Sequence, residues 1–301
     1  MNCPLCEAQK ITILEKINKN DLIKLYKKIL GIDISYLISK DIDFCECQNC
    51  KLKFYKPIIT GDEKFYNALQ RFNWYYMNEK EEYKYSKKHI GPKDRVLEVG
   101  CGKGAFAKYL STKDYVGLDI SENAKRLAIQ EGITIENETV QNFSKKHKNE
   151  FDIVVSFQVL EHVSDPKSFI EAGLETLKNG GKFIIGVPNE NSFLKYVTDE
   201  PLNMPPHHTT RWSYNTFQYI ALKYNLNIVE IYYEKLQNMH KQLYLSTLIF
   251  NSLFNPTLVS KSFLVRKIKK FIDLISRFLT RGLRDEMLPH GHTVVVVFEK
   301  K

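Results

Sequence analysis

The chain has 301 residues, of which 43% are hydrophobic and 26% are charged, and its formal net charge is +9. This length and apolar content exclude an intrinsically disordered chain and predict one large domain with something smaller beside it. The longest uncharged run, residues 242–260, is interrupted by polar residues and falls short of the ~18 apolar residues that span a bilayer. The N-terminus lacks the apolar core of a signal peptide, so we expect a cytoplasmic protein.

Two Cys-x-x-Cys pairs lie in the N-terminal segment. Each pair resembles the knuckle that presents two thiolates to one tetrahedral Zn²⁺, and a reducing compartment favours metal ligands or buried thiols over disulfides. The pattern predicts a zinc-ribbon-like module over residues 1–58, enlarged by a helix at residues 21–31, with a structural Zn²⁺. Its predicted ligands are Cys3, Cys6, Cys47 and Cys50.

The identity of one zinc ligand stays open between Cys45 and Cys47, because Cys45 lies two residues before Cys47 and could replace it. Zinc ribbons often accompany nucleic-acid binding. Residues 1–90, however, hold sixteen lysines and arginines against twelve acids and show no basic-aromatic stripe. We therefore expect no nucleic-acid partner and interpret the module as a packing unit.

Residues 59–90 form a connector that is rich in aromatic side chains. One interpretation is a pair of helices that packs its rings on the core. The other is a cap over a ligand pocket, with Tyr76 as a candidate substrate contact beside Trp74, Tyr75 and Tyr83. Both interpretations place the segment between the N-terminal module and a domain that begins at residue 91.

Residues 95–104 read Arg-Val-Leu-Glu-Val-Gly-Cys-Gly-Lys-Gly and are followed by apolar residues at helical spacing over 105–110. This pattern predicts a strand, a glycine turn and a helix. Glycine lets the backbone approach a ligand closely, and the N–H groups that open a helix favour negative charge. A second strand over 115–120 ends at Asp119, where an acid is well placed to accept hydrogen bonds from a ribose. The unit is typical of nucleoside binding.

The alternation of strands and helices continues to the C-terminus. It predicts an α/β protein with a doubly wound, mainly parallel sheet and helices on both faces. The further helices are expected at 122–130 and 169–177, and the further strands near 134–140, 151–157, 183–187, 227–233 and 292–300.

The segment Glu98-x-Gly100-x-Gly102-x-Gly104 resembles the first motif of the class I S-adenosylmethionine-dependent methyltransferases, with an acid two residues before the first glycine. Residues 151–163 and 177–189 are similar to that family's fourth and fifth strand motifs, in the same order. The resemblance implies a Rossmann-like sheet of seven strands whose last strand is antiparallel, within a methyltransferase domain over residues 91–301.

The same resemblance assigns the S-adenosylmethionine site. It implies that the three glycines approach the methionine moiety, Glu98 braces the turn, Asp119 holds the ribose and Phe157 lines the pocket. A glycine turn also fits a dinucleotide fingerprint, so a NAD-type oxidoreductase stays open, as does a non-catalytic scaffold on the same fold.

Glu161 and His162 resemble a pair that supplies metal ligands in some methyltransferases of this class, together with an acid three residues before the glutamate. That earlier position is Gln158 here. We therefore interpret His162 as structural.

Residues 201–214 read Pro-Leu-Asn-Met-Pro-Pro-His-His-Thr-Thr-Arg-Trp-Ser-Tyr and form a loop at the predicted ligand edge of the sheet. Similar segments occur in methyltransferases of surface-polysaccharide clusters, and the two cysteine knuckles resemble the layout of bacterial sugar-nucleotide C-methyltransferases. The resemblance implies O-methylation of a sugar, sugar-nucleotide or glycan; a small phosphorylated metabolite is the alternative. His207 or His208 is the candidate base, Arg211 the partner of an anionic group and Trp212 a stacking surface.

An insertion over residues 235–291 precedes the last strand and is strongly basic, since residues 235–285 hold ten lysines and arginines against two acids. It contains an amphipathic helix at 263–281 with an apolar arc and basic flanks. Two interpretations stay open: a lid that packs on the protein, at a homodimer contact, or a helix that lies peripherally on the inner face of the membrane.

Overall fold

A computed structural model of the chain describes residues 2–72, 79–255, 257–260, 262–280 and 288–301. Among these residues, no helix combines the length and apolar character that crossing a bilayer requires. The strands are β1 Ile11–Ile17, β2 Ile42–Cys47, β3 Lys53–Lys56, β4 Val96–Val99, β5 Tyr115–Leu118, β6 Ile135–Glu136, β7 Phe151–Phe157, β8 Leu177–Pro188, β9 Thr210–Arg211, β10 Leu226–Lys235 and β11 His290–Lys300. The helices are α1 Lys19–Leu30, α2 Glu63–Leu69, α3 Glu81–Ser86, α4 Glu122–Gln130, α5 Val140–Phe143, α6 Pro166–Thr176, α7 Tyr214–Lys223, α8 Asn238–Leu253 and α9 Phe263–Leu279.

The main sheet has seven strands in the order β10-β11-β8-β7-β4-β5-β6. Strands β4 to β8 run parallel, whereas β11 is antiparallel to both of its neighbours. This confirms the predicted α/β sheet and its antiparallel last strand. Strand β4 lies between β5 and β7, so the strand order reverses beside it. Ligands of open α/β sheets bind at such a point, outside the carboxyl ends of the strands.

A second, four-stranded sheet has the order β1-β2-β3-β9 and is antiparallel throughout. Its last strand does not come from the N-terminal module but from the loop that follows β8. Phe54 of β3 pairs with Thr210 of β9, and the N–H of Tyr55 donates to the carbonyl of Thr209 at 3.0 Å. The predicted module 1–58 and the predicted acceptor loop therefore share one sheet.

One hydrophobic core joins the module to the main sheet. It contains Cys3 and Cys50 of the module, Trp212 and Phe217 after β9, and Val296 of β11. Burial of this apolar surface fixes the acceptor loop between the two sheets.

Two predicted elements are shorter than the sequence pattern suggested. The predicted strand 134–140 keeps two residues as β6, because the side chain of Thr139 accepts the N–H of Asn142 and begins α5 instead. After the glycine turn the chain forms a 3₁₀ helix, Ala105–Tyr109, in place of an α-helix.

The insertion forms two packed helices. Asp273 of α9 accepts hydrogen bonds from Ser246 of α8 at 2.5 Å and, through its carbonyl, from Gln242 at 3.0 Å. Ile272 is buried against this contact, whereas Phe271 and Phe278 are 63% and 68% exposed. Most of the apolar arc predicted for this helix therefore faces away from α8.

Candidate functional site

The glycine turn after β4 is built tightly enough to exclude side chains. Gly100, Gly102 and Gly104 have φ values of 75°, 53° and 75°, in the region that favours glycine. A Cβ on Gly100 would lie 2.2 Å from Cγ2 of Val159, and one on Gly104 would lie 2.8 Å from Cγ2 of Ile133. The turn thus presents backbone at the switch point of the sheet.

Asp119, at the carboxyl end of β5, braces this turn. One carboxylate oxygen accepts the N–H of Gly102 at 2.8 Å, and the other accepts the N–H of Ser121 at 2.8 Å. Each oxygen retains a second lone pair that can accept from a ligand hydroxyl. Burial raises the pKa of the carboxyl group, while its two backbone hydrogen bonds lower it.

Glu98 lies beside the turn at the end of β4 and is almost fully buried. Its carboxylate accepts the hydroxyl proton of Tyr115 at 2.5 Å. Burial raises the pKa of Glu98 to about 8. The hydrogen bond that braces the turn therefore comes from Asp119, a role that sequence reasoning gave to Glu98.

Phe157 ends β7 within an aromatic group. Its ring centroid lies 5.3 Å from that of Tyr83 on α3 and 4.9 Å from that of Phe106. The helices α2 and α3 lie within residues 59–90, the segment predicted as a cap. Tyr76, the predicted substrate contact, and its neighbours Trp74 and Tyr75 lie outside the described residues.

The segment after β7 runs from the glycine turn to a histidine cluster. Val159 packs on Gly100, and Glu161 follows two residues later. The cofactor turn and this segment are therefore in contact.

The histidine cluster consists of His162, His207 and His208. Ring centroids of the three lie 4.6 to 4.9 Å apart. The Nδ1 atom of His162 bonds to the carbonyl of His207 at 2.7 Å, and that of His207 bonds to the carbonyl of Leu202 at 2.8 Å. Nδ1 of His208 bonds to Oδ1 of Asn203 at 3.2 Å. The loop 201–214 is thus held in place by the rings of its own His207 and His208 and by the ring of His162.

Burial keeps these imidazoles neutral. It lowers the pKa of His162 to about 4 and lowers the pKa of both His207 and His208 well below the usual range. Beside them, Glu161 is 1% exposed, and neither of its carboxylate oxygens has a hydrogen-bond partner among the residues that the structure describes. Burial raises the pKa of Glu161 to about 8.

Arg211 and Trp212, the predicted substrate contacts, are both buried. Arg211 donates to the hydroxyl of Tyr55 at 2.5 Å and to the carbonyl of Asn203 at 2.9 Å. Trp212 is fully buried, donates to Thr210 at 3.0 Å and leaves no ring face for a sugar. Both side chains hold β9 against the module. The contacts that bury them are with residues distant in sequence, which local sequence patterns do not indicate.

Four cysteines of the module converge. The Sγ atoms of Cys3 and Cys50 lie 3.5 Å apart, those of Cys6 and Cys47 lie 3.4 Å apart, and all four lie within 4.8 Å of one another. The hydrogen bond between the sulfur atoms of Cys3 and Cys50 lowers the pKa of Cys3 to about 5. Cys45 is not in the cluster, since its thiol points to the carbonyl of Asp43. A tetrahedral set of four thiolates suits Zn²⁺.

Sequence reasoning missed the role of Tyr115 and the meeting of Glu161 and His162 with the acceptor loop. The loop meets that segment through the N–H of Thr209, which donates to the carbonyl of Glu161 at 2.8 Å. The resemblance of Glu161 and His162 to a metal-ligand pair was a signal in the sequence. We set it aside because Gln158 stands where that motif has an acid.

Comparisons with known proteins agree with this geometry. A family model described as a methyltransferase domain matches residues 71–231. The protein MJ1123 of Methanocaldococcus jannaschii, described as uncharacterized, is 38% identical over 130 residues, which cover 42% of this chain and 62% of that protein. A ubiquinone biosynthesis O-methyltransferase of Salmonella newport is 35% identical over 105 residues, covering 32% of this chain and 43% of that protein.

The matched region therefore spans less than two thirds of each of these two relatives. Among solved structures, a SAM-dependent methyltransferase from Archaeoglobus fulgidus superposes with a TM-score of 0.53 at 18% identity, over 78% of this chain and all of that one. This likeness concerns the fold. The chain belongs to the methyltransferase-domain family, and its sheet is the α/β fold of the class I S-adenosylmethionine-dependent methyltransferases.

Proposed function

We propose that the protein is an S-adenosylmethionine-dependent methyltransferase that methylates a hydroxyl oxygen of a small, carbohydrate-type acceptor. The observation that carries the proposal is the buried histidine cluster at the carboxyl edge of the sheet. It is joined to the glycine turn by the short segment that contains Val159 and Glu161. A nucleoside-binding turn and groups able to manage a proton thus lie side by side.

The turn favours S-adenosylmethionine over a dinucleotide. The Asp119 carboxylate, which accepts two backbone N–H groups beside the turn, would repel a dianionic group. The sulfonium and ammonium groups of S-adenosylmethionine carry the opposite charge, which supports this cofactor over NAD.

Removing the Asp119 carboxylate tests the cofactor site. Asp119→Ala should weaken S-adenosylmethionine binding by roughly 5- to 150-fold, because ribose hydroxyls and the N–H of Gly102 lose an acceptor worth on the order of 1–3 kcal/mol. Isothermal calorimetry measures the dissociation constant. Ser121→Ala is the matched control, since it removes the cap of α4 at Ala124 without touching the carboxylate. Equal affinities for wild type and Asp119→Ala would refute the assignment.

Methyl transfer sets the requirements for the acceptor side. The acceptor oxygen attacks the methyl carbon in line with the departing sulfur, the C–S bond breaks as the C–O bond forms, and sulfur keeps the electron pair as S-adenosylhomocysteine. The hydroxyl proton must be taken as the bond forms. A neutral imidazole with an unprotonated nitrogen can accept it, which supports His207 or His208 as the base.

The acceptor class rests on the loop 201–214, whose resemblance points to sugar, sugar-nucleotide or glycan methylation. A second candidate, methylation of an aromatic hydroxyl, is favoured by the Salmonella relative that is named a ubiquinone biosynthesis O-methyltransferase. Release of S-adenosylhomocysteine with panels of nucleotide sugars and of catechols distinguishes the two classes. Turnover confined to the catechol panel would exclude the carbohydrate proposal.

The cluster histidines can be tested by turnover. His207→Ala or His208→Ala should lose about 10²-fold or more in turnover at saturating cofactor, with S-adenosylmethionine affinity unchanged, because the hydroxyl proton loses its acceptor. His89→Ala is the control, since this half-buried histidine pairs with Glu230 outside the cluster. Normal rates in both cluster variants would exclude the cluster from the reaction.

We propose that the four converging cysteines bind a structural Zn²⁺. Four protein thiolates close the coordination sphere, so such an ion takes no part in the chemical step. Its effect is on the acceptor loop, since the module's β3 pairs with β9.

We also propose that α9 lies on an anionic membrane surface. Its outer face carries the exposed apolar side chains of Leu264, Phe271 and Phe278. The exposed Lys267 and Lys270 lie on the same side or its flank. An apolar face with basic flanks is typical of interfacial helices, which insert the apolar side chains and place the cations at phosphate depth.

Vesicle sedimentation tests the membrane proposal. Binding to vesicles that contain phosphatidylserine should appear at low salt and weaken as salt screens the charges. Phe271→Ser/Phe278→Ser should abolish binding, whereas the matched change Leu248→Ser, at an exposed position of α8, should not. Absence of binding at any salt concentration would return the helix to a lid or dimer contact.

A further inference from the structure

The three cluster histidines share one tautomer. A carbonyl oxygen only accepts hydrogen bonds, so Nδ1 of His162 and Nδ1 of His207 each carry the proton. Nδ1 of His208 likewise faces the oxygen of the Asn203 amide. In each neutral ring the other nitrogen, Nε2, is then unprotonated and offers a lone pair. Because these groups are held by backbone and loop contacts, the cluster is preset with three acceptors and no donor.

The three rings are close enough to share one ligand. One ring nitrogen of each histidine lies within 4.8 Å of a ring nitrogen of the other two. A cation between them would interact with all three rings at once.

Glu161 provides the second, independent observation. Its side chain is 1% exposed, and Oε1 lies 3.7 Å from Nε2 of His162. Neither carboxylate oxygen has a hydrogen-bond partner in the described residues. A buried carboxyl group without a hydrogen-bond partner calls for a group that the described residues do not supply.

We propose that His162, His207 and His208 bind one divalent first-row transition-metal ion through Nε2, and that Glu161 faces the open position of that ion. Three imidazoles with one open position is a ligand set used by catalytic metal centres. Metal-bound histidines commonly donate the second ring N–H to a carbonyl or carboxylate, as all three do here to an oxygen. The site is separate from the four cysteines, which form a closed set.

The geometry requires only small side-chain movements. Metal–nitrogen distances of about 2.0–2.1 Å place ligand nitrogens roughly 3.4 Å apart in a tetrahedral site. The nitrogens must therefore approach one another by at most about 1.4 Å from their present separations.

The metal site deepens the proposed function, and the catalytic role given to the ion rests on that function. An ion at this site would lower the pKa of an acceptor hydroxyl in the open position, as it does for metal-bound water. Glu161, whose Oε1 lies 3.7 Å from Nε2 of His162, would accept the hydroxyl proton as the C–O bond forms, and sulfur would keep the electron pair of the broken C–S bond. In this form of the reaction His207 and His208 are ligands, and the proton goes to Glu161.

Manganese binding tests the site without relying on turnover. Full-length protein that already holds zinc at its cysteines is titrated with Mn²⁺, and free Mn²⁺ is followed by its six-line electron paramagnetic resonance signal. Thiolates select zinc, so Mn²⁺ reports on imidazole and carboxylate ligands. We expect one Mn²⁺ per chain, and an increase of at least about 100-fold in the dissociation constant for His208→Ala. His89→Ala should bind Mn²⁺ as the wild type does.

A second variant keeps the test decisive if His208→Ala does not fold. His162 is the most exposed of the three rings, so His162→Gln replaces a ligand at the rim of the cluster. Bound Mn²⁺ should also raise the melting temperature of the wild type and leave that of His162→Gln unchanged. Failure of the wild type to bind Mn²⁺ or a second Zn²⁺, or equal binding by folded histidine variants, overturns the proposal.

The two proposals fail separately. If no ion binds but His207→Ala and His208→Ala lose turnover, the metal site is wrong and a histidine base stands. If Mn²⁺ binds through the histidines but no hydroxyl acceptor is methylated, the metal site stands and the proposed acceptor falls.

Discussion

Replacing Gly100 by alanine is expected to abolish S-adenosylmethionine binding and to destabilise the domain. The new Cβ would lie 2.2 Å from Cγ2 of Val159 and 3.0 Å from its Cγ1, well inside van der Waals contact. The turn must open, or the segment that leads to Glu161 must move, at a typical overpacking cost of roughly 1–3 kcal/mol. A left-handed φ of 75° adds roughly 1–2 kcal/mol for any residue with a Cβ. Calorimetry and denaturant unfolding measure the two effects.

Gly180→Ala separates the clash from the backbone strain. Gly180 has a φ of 76°, almost that of Gly100, but a Cβ there meets nothing within 4 Å. It should therefore show the strain alone and keep full cofactor affinity. In Gly100→Ala/Val159→Ala the clashing methyl groups are removed, so part of the lost stability should return as a non-additive coupling. If Gly100→Ala and Gly180→Ala have the same cofactor affinity and stability, the close approach of Val159 to Gly100 does not affect cofactor binding.

The motif-bearing parts of the fold were accessible to sequence reasoning because their signals are local. The strand β7 and the helix α4 have the predicted bounds, residues 151–157 and 122–130. In each case apolar periodicity coincides with a start signal, such as the Ser121 cap of α4. Positive φ at the three glycines likewise follows from residue type.

The acceptor side was less accessible because its arrangement depends on contacts far apart in sequence. His162 and His207 are 45 residues apart, and Tyr55 and Arg211 are 156 residues apart. No local pattern states that β9 completes the sheet of the N-terminal module, so Arg211 and Trp212 seemed free to contact a substrate. The same pairing is what connects the cysteine cluster to the histidines.

Loss of zinc is therefore expected to affect the acceptor loop as well as the module. The hydroxyl of Tyr55 donates to the carbonyl of Asn203 at 2.8 Å, and Tyr26 donates to Pro201 and Met204 at 2.6 and 2.9 Å. Asn203 in turn holds His208. Cys47→Ser should lose the ion, lower the free energy of unfolding by about 2–5 kcal/mol and reduce turnover, since structural zinc sites contribute folding energy directly.

Cofactor binding should survive that change, because the glycine turn and Asp119 are held by β4 and β5, which make no strand pairing with the module. Cys45→Ser is the matched control: it makes the same substitution in β2, two residues away, at a buried thiol that points to Asp43. Elemental analysis should find one zinc ion fewer per chain in Cys47→Ser than in Cys45→Ser. A full zinc content in Cys47→Ser would assign the ligand to another residue. A zinc-depleted protein with wild-type turnover would show that the histidine loop keeps its arrangement without the module's metal.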